Sequence, residues 1–119
     1  NIYLLGHKKN IYDYISKAKA VIVSSIYEDP GFVIVEAAFS NLFVISSDCN
    51  NGPNEFLLNG KGGILFKKNE KNELKNSLKI FENFSKNEIN LMKLNAKKNS
   101  MKYTLLRHHN CLRKILNLN

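Results

Sequence analysis

Two carboxylates separated by seven residues, Glu28 and Glu36, frame a segment whose other members are mostly apolar or conformationally special. Asp29 is a residue type that accepts hydrogen bonds from the first amides of a helix, and Pro30 suits the first helical position. Gly31 lets another group approach the backbone closely. A helix is therefore expected from about Pro30 to Ser40, with the amides of Gly31, Phe32 and Val33 pointing out of its start. Such an end attracts anions, because unfilled donors and the helix dipole both favour negative charge. A nucleoside diphosphate would suit it.

Glu36 sits among Phe32, Val33, Ile34, Val35, Ala37, Ala38 and Phe39. A helix apolar nearly all round is a buried helix, and burying an unpaired carboxylate is costly. Glu36 is thus expected to meet donors: the adjacent hydroxyls of a ribose, or a lysine or buried turn of its own protein. Glu28 lies in the loop before the helix. A carboxylate there could contact a bound sugar, stabilise positive charge at a reacting carbon, or simply be a solvated loop acid.

The elements that must hold this segment follow from apolar periodicity. Ile2-Tyr3-Leu4-Leu5, stopped by Gly6, predicts a buried strand. Asn10 can cap a helix in which Ile11, Tyr14, Ile15 and Ala18 share a face. Ala20-Val21-Ile22-Val23 predicts a second strand, Leu42-Phe43-Val44-Ile45 a third and Ile64-Leu65-Phe66 a fourth, with a short helix from Pro53 to Leu58. From Asn69 onward the period is helical: Leu74, Leu78 and Phe81 form one stripe, and Ile89, Met92, Leu94 and Ala96 a second. Leu105, Leu106, Leu112, Ile115 and Leu116 form a third. Strands recurring about every 20 residues between helices predict an α/β fold. The expected form is a Rossmann-like parallel sheet of about four or more strands, flanking helices and a helical C-terminus. The last helices would cover the sheet or cross to another domain. In such a sheet ligands bind at the carboxyl ends of the strands, which selects the loops Gly6–Lys9, Ser24–Gly31 and Ser46–Gly52.

The chain has 119 residues, 44% hydrophobic and 24% charged, so residues 1–119 are expected to form one domain. Its opening directly on an apolar run suggests a piece of a longer protein. No apolar run approaches the length needed to cross a bilayer, and no signal peptide is recognised. Cys49 and Cys111 are expected to be reduced thiols. Charge is uneven: residues 1–66 carry five Lys against six acids, and residues 67–119 carry thirteen Lys or Arg against four Glu. The basic half fits solvent-facing helices, with peripheral contact to an anionic membrane as an alternative. A nucleic-acid partner is not expected, since no binding motif or aromatic stacking platform is present. His108-His109 point to different helix faces, lack a third ligand and are expected on the surface. Glu55 is expected to bond backbone in its loop, beside Asp48.

Glu28-x7-Glu36, with Gly31 three residues after the first Glu, resembles the signature of retaining glycosyltransferases of the GT-B fold, group 1 or family 4. Further segments agree in order: Tyr3-Leu4-Leu5-Gly6, Ala18-Lys19-Ala20-Val21-Ile22-Val23-Ser24-Ser25, Phe43-Val44-Ile45-Ser46-Ser47-Asp48-Cys49, Gly52-Pro53-Asn54-Glu55-Phe56-Leu57 and Gly63-Ile64-Leu65-Phe66. The resemblance covers roughly residues 1–80. It implies the C-terminal, donor-binding half of a GT-B enzyme. In that role Glu28 would be the catalytic group that orients the donor sugar, and the backbone of Gly31, Phe32 and Val33 would hold the diphosphate or the sugar hydroxyls. Glu36 would bind the ribose hydroxyls, and Gly6 and His7 would lie near the base.

The implied reaction moves a hexose-type sugar, from a donor most commonly linked to uridine diphosphate, to a glycan or lipid-linked acceptor of a bacterial surface polysaccharide or glycolipid. No cofactor and no metal are implied, and the expected location is cytoplasmic, or peripheral at the inner face of the membrane. The acceptor would be met through an N-terminal domain outside this sequence, so the chain alone would catalyse little. The family's diphosphate-binding Arg and Lys normally lie upstream, and Asp29-Pro30 replaces the commoner Gly-Phe. A nucleotide-binding or interaction module of the same fold, without catalysis, is the competing expectation.

Overall fold

A computed structural model of the protein describes residues 2–117. Helix α1 (Tyr12–Ile15) leads into strand β1 (Ala20–Val23), followed by α2 (Phe32–Phe39), β2 (Phe43–Ser47), α3 (Pro53–Phe56) and β3 (Ile64–Phe66). Then come α4 (Glu73–Asn83), α5 (Lys86–Ser100), a 3-10 turn at Met101–Tyr103 and α6 (Leu105–Ile115). The strands form one parallel sheet in the order β1-β2-β3, with Ala20 opposite Phe43 and Ile45 opposite Ile64. Parallel neighbours need crossover connections, which α2 and α3 supply.

β2 is central, and all five of its residues are buried, as expected for a strand covered on both faces. Alternate side chains enter different layers. Val44 joins Val23, Ile34, Leu57 and Ala96 on one face. Phe43 and Ile45 join Ile64 and Phe66 on the other, where Leu74, Phe81, Phe84, Ile89 and Met92 close over them. Phe43 stacks on Phe81 with ring centroids 4.8 Å apart.

α5 is fixed at both ends. Its start is a reciprocal cap: the Ser85 hydroxyl accepts from the Glu88 N–H at 3.3 Å, and the Glu88 carboxylate accepts from the Ser85 N–H at 2.8 Å. Hydrogen bonds from the Ser85 side chain and then its backbone hold the Glu88 carboxyl below the usual range. At the other end, the buried Asn99 amide donates to the carbonyls of Glu55 and Phe56 at 2.9 and 3.1 Å. Those carbonyls belong to the end of α3, where backbone acceptors outnumber helical donors.

Tyr103 completes this junction. Its ring meets Phe56 edge-on at 4.7 Å, and its hydroxyl donates to the Glu55 carboxylate. Glu55 thus bonds a side chain where a backbone partner was expected. Burial, the hydrogen bond to Glu55 and the charge of Glu55 push the Tyr103 phenol up from 10.0 to about 12. The neutral phenol is favoured in the folded state, so the stability it adds is present below pH 10 and is lost as pH rises from 10 towards 12. Tyr103→Phe should lack this loss. Matching alkaline unfolding curves for the two proteins, measured by circular dichroism, would refute it.

Several expectations are corrected. Residues 2–5 form no strand and are exposed, so the sheet has three strands among the described residues and not four. Apolar character alone does not make a strand without a neighbour to complete its ladder. α1 begins after Ile11, although the Asn10 side chain does accept from the Tyr12 N–H at 3.2 Å. β2 extends through Ser46 and Ser47, beyond the expected end at Ile45. α6 does not cover the sheet, for none of its residues is buried.

Asparagine has a structural task. Among the described residues, Asn41, Asn51, Asn59, Asn69, Asn72 and Asn117 take positive φ, with Leu58 the other non-glycine to do so. Asn tolerates this region better than other side chains, and here it ends helices and shapes turns.

Candidate functional site

The loops leaving the carboxyl ends of β1 and β2 lie side by side and are stitched together. The buried Ser47 hydroxyl donates to the Ser25 carbonyl. Tyr27 and Asn50 form a parallel bridge, and the Asn51 amide donates to the Tyr27 hydroxyl at 2.9 Å. The Asn54 amide donates to Asp48, which fixes the second loop to α3. Closest of these approaches is that of Gly52, with φ 135°. A β-carbon there would stand 1.9 Å from the Pro30 carbonyl oxygen, so only glycine lets the loops meet this closely.

The stitches hold Glu28 and Gly31 against the start of α2. Gly31, with φ 88° and ψ 49°, is the residue at the helix N-cap, and no side chain caps the helix. This corrects the expected start: Asp29 is not the cap and Pro30 is not helical, because the chain reaches helical geometry only after the left-handed Gly31. The half-buried Glu28 folds over this glycine. A β-carbon on Gly31 would lie 3.2 Å from Cβ, Cγ and Oε2 of Glu28. The carboxylate therefore sits beside the positive end of α2. The Ile34 N–H bonds to the Gly31 carbonyl at 3.0 Å. The amides of Gly31, Phe32 and Val33 have no acceptor among the described residues. One carboxylate and three donors thus share the strand-end crevice where such sheets bind ligands.

Glu36 is placed differently from expectation. It is exposed, on an outward face shared with Phe32, Val33 and Phe39. Only Ile34, Val35, Ala37 and Ala38 face the core. The helix looked buried all round because its outer face is also apolar, yet no element of the described chain covers that face. Water solvates the carboxylate, so burial does not compel it to find donors. It remains one turn along α2 from Phe32, within reach of the helix start.

Gly6 takes φ 62° in open space, and the neighbouring His7 is exposed. No hydrogen bond or ion pair among the described residues ties either to the Glu28–Glu36 segment. His108 and His109 are exposed on α6, and both cysteines are free, Cys49 buried and Cys111 exposed. No group of three or more His, Cys, Asp or Glu among the described residues is arranged to hold a metal ion.

A separate cavity does not include Glu28 in its lining. It is a groove of about 800 Å³ between Phe32, at the start of α2, and the C-terminal elements, lined in part by Lys102, Tyr103, Arg107 and Lys114. The stitched crevice remains the better candidate for chemistry, because it combines an acid with free backbone donors, whereas the groove walls are long surface side chains. Sequence reasoning missed the groove, since its walls are about 70 residues apart in the chain and periodicity is a local signal.

Comparison with known proteins bears on the fold and the family. The profile of the family described as glycosyl transferases group 1 matches residues 1–99. A poly(ribitol-phosphate) alpha-N-acetylglucosaminyltransferase of Staphylococcus aureus is 28% identical over 74 residues, 62% of this chain and 15% of that protein. The crystal structure of TarM superposes with a TM-score of 0.79 at 27% identity, covering 99% of this chain and 23% of TarM. The C-terminal domain of a group 1 glycosyl transferase (LpcC) from Francisella tularensis shares the fold, with a TM-score of 0.71 at 18% identity over 87% of this chain and 53% of that one. The chain spans only 14–15% of the length of the curated relatives it matches.

Proposed function

The chain belongs to the glycosyl transferases of group 1, as a C-terminal GT-B domain, and from that we propose that it is the donor-binding domain of a retaining enzyme. The reaction moves a hexose-type sugar from a nucleoside diphosphate sugar, uridine-linked, to a glycan or lipid-linked acceptor of a bacterial surface polymer. The observation that carries this reading is Glu28 folded over Gly31 at the amide end of α2. A diphosphate placed on the amides of Gly31, Phe32 and Val33 accepts their hydrogen bonds and lies along the helix dipole. Its sugar then extends towards Glu28, whose carboxylate orients it and stabilises positive charge developing at the anomeric carbon.

Glu36 binds the ribose hydroxyls from one turn further along, now as a solvated acid that gives up water for the ligand. Gly6 and His7 supply the base end, which requires the exposed N-terminal segment to settle against the nucleotide. The acceptor site belongs to the rest of the parent protein. The likeness to a transferase acting on poly(ribitol-phosphate) supports a surface-polymer acceptor. No helix of the described residues is long and apolar enough to cross a membrane. Work at the cytoplasmic face of the membrane, by peripheral contact, is part of the same proposal.

Titration of the chain with uridine diphosphate, followed by amide NMR, tests the site. Shifts should concentrate at Gly31, Phe32 and Val33, extend to Glu36, and reach Gly6. Saturating nucleotide that moved only residues of the Lys102–Lys114 groove would relocate the donor. Movement nowhere would remove the assignment.

A further inference from the structure

We infer that the outer edge of β1 is not an edge in the parent protein: a parallel strand joins the sheet there, with a helix over Ile22, both from the remainder of the same polypeptide. The inference goes beyond the donor-site reading and does not depend on it. Among the described residues β1 pairs with β2 alone. In a parallel ladder the backbone groups of alternate residues turn to opposite sides, so half of those in Ala20–Val23 face away from β2. Sheets protect such an edge with charge, proline or a bulge, and Ala-Val-Ile-Val supplies none of these. The opposite edge differs, for β3 has only three residues, is largely covered, and is followed by Lys67 and Lys68.

Handedness says what else is missing. Both crossovers run the same way across the sheet, from β1 to β2 to β3, and right-handed connections then put their helices on one face. α2 and α3 accordingly share the layer of Val23 and Val44. Ala20 belongs to the other layer, and by strand alternation Ile22 points the same way. Yet Ile22 is 46% exposed. Strands added outward from β1 reverse the direction of travel, and right-handed crossovers running that way put their helices on the Ile22 face. One addition thus accounts for the bare ladder and the bare face. It also creates a reversal of strand order beside Ser24–Gly31, the kind of place where open parallel sheets bind ligands.

Length selects the occupant. The chain covers only 53% of the LpcC C-terminal domain, so about as much again of a domain with this fold lies outside these residues. That is room for several strand–helix units. The segment leading into β1 is bare as well, with Ile2, Leu4, Ile11 and Tyr12 exposed, as a face awaiting a covering layer would be. A second copy is a poorer match. Two β1 strands related by a two-fold axis would pair antiparallel and bring no helix over Ile22.

The test is hydrogen exchange followed by mass spectrometry, on the intact parent protein and on the 119-residue chain, both without nucleotide. Peptides spanning Ala20–Val23 should exchange roughly tenfold or more slowly in the parent. Phe43–Ser47, already buried within the chain, should change far less. Equal rates at Ala20–Val23 in the two proteins would overturn the inference.

Ile22→Lys in the intact parent tests the same point without the isolated chain. A half-exposed edge position accepts lysine at little cost, because the ammonium reaches water. A covered position must bury the charge unpaired, so the melting temperature should fall by more than about 5 °C. An unchanged melting temperature would overturn the inference. A variant that only split a parental dimer into monomers would overturn it too, since the occupant would then be a second copy. Nucleotide takes no part in either measurement, so failure here is separable from failure of the donor site.

Discussion

Replacing Gly52 with alanine should lower the melting temperature by more than about 10 °C and weaken nucleotide binding at Gly31 with it. Two costs coincide. At φ 135° and ψ −55° the backbone occupies a region that side chains rarely enter, and the added methyl would stand 1.9 Å from the Pro30 carbonyl oxygen. The obstacle is backbone, so no rotamer change relieves it, and the loops must part. Together these amount to about 3 kcal/mol or more, a large share of the roughly 5–15 kcal/mol that holds a domain folded. Gly6→Ala is the informative contrast. Its φ of 62° is also left-handed, but nothing lies within 4 Å, so only the conformational cost of about 1 kcal/mol applies. Calorimetry that found the two variants equally stable would refute the close-approach argument.

Glu28→Gln in the intact parent enzyme should reduce turnover about a thousandfold while leaving nucleotide affinity within a few-fold. Glutamine keeps the length and planar end of glutamate, so the packing over Gly31 survives and only the charge is removed. If the carboxylate orients the sugar and stabilises charge at the anomeric carbon, the loss appears in the transition state. Single-turnover rates and nucleotide titration separate the two quantities. A variant that kept its rate but lost nucleotide would make Glu28 a binding group, and one that kept both would leave it a structural acid.

Much of the fold was legible because burial leaves a local trace. β1 matches the β-branched run Ala20–Val23 residue for residue, and β3 likewise matches Ile64–Phe66. β3 is largely covered on both faces, whereas β1 leaves Ile22 46% exposed, so its apolar run reflects β-propensity as much as burial. The same signal misled at Ile2–Leu5, where composition suits a strand but no strand stands beside it. At Glu36 the error was to equate apolar neighbours with burial, since a helix face can be apolar and still open. The site was half visible. The carboxylates, Gly31 and the strand-end rule pointed to loops that the structure brings side by side, whereas the N-cap at Gly31 and the approach of Gly52 to Pro30 depend on backbone angles that residue types leave open. A Ser-x-x-Glu capping signal at Ser85–Glu88 was available in the sequence and would have fixed the start of α5.

The stitched loops bear on how a ligand arrives. Because Ser47 holds Ser25, Asn51 holds Tyr27 and Gly52 admits Pro30, segment 24–31 loses its freedom when the protein folds, not when nucleotide binds. On the proposed reading, binding would carry little ordering cost at this loop, and the amide end of α2 would meet a diphosphate already aimed. The same rigidity stops the segment from acting as a lid. If the donor binds as proposed, whatever closes over it would come from outside these loops, with Glu28 as the fixed surface against which it closes.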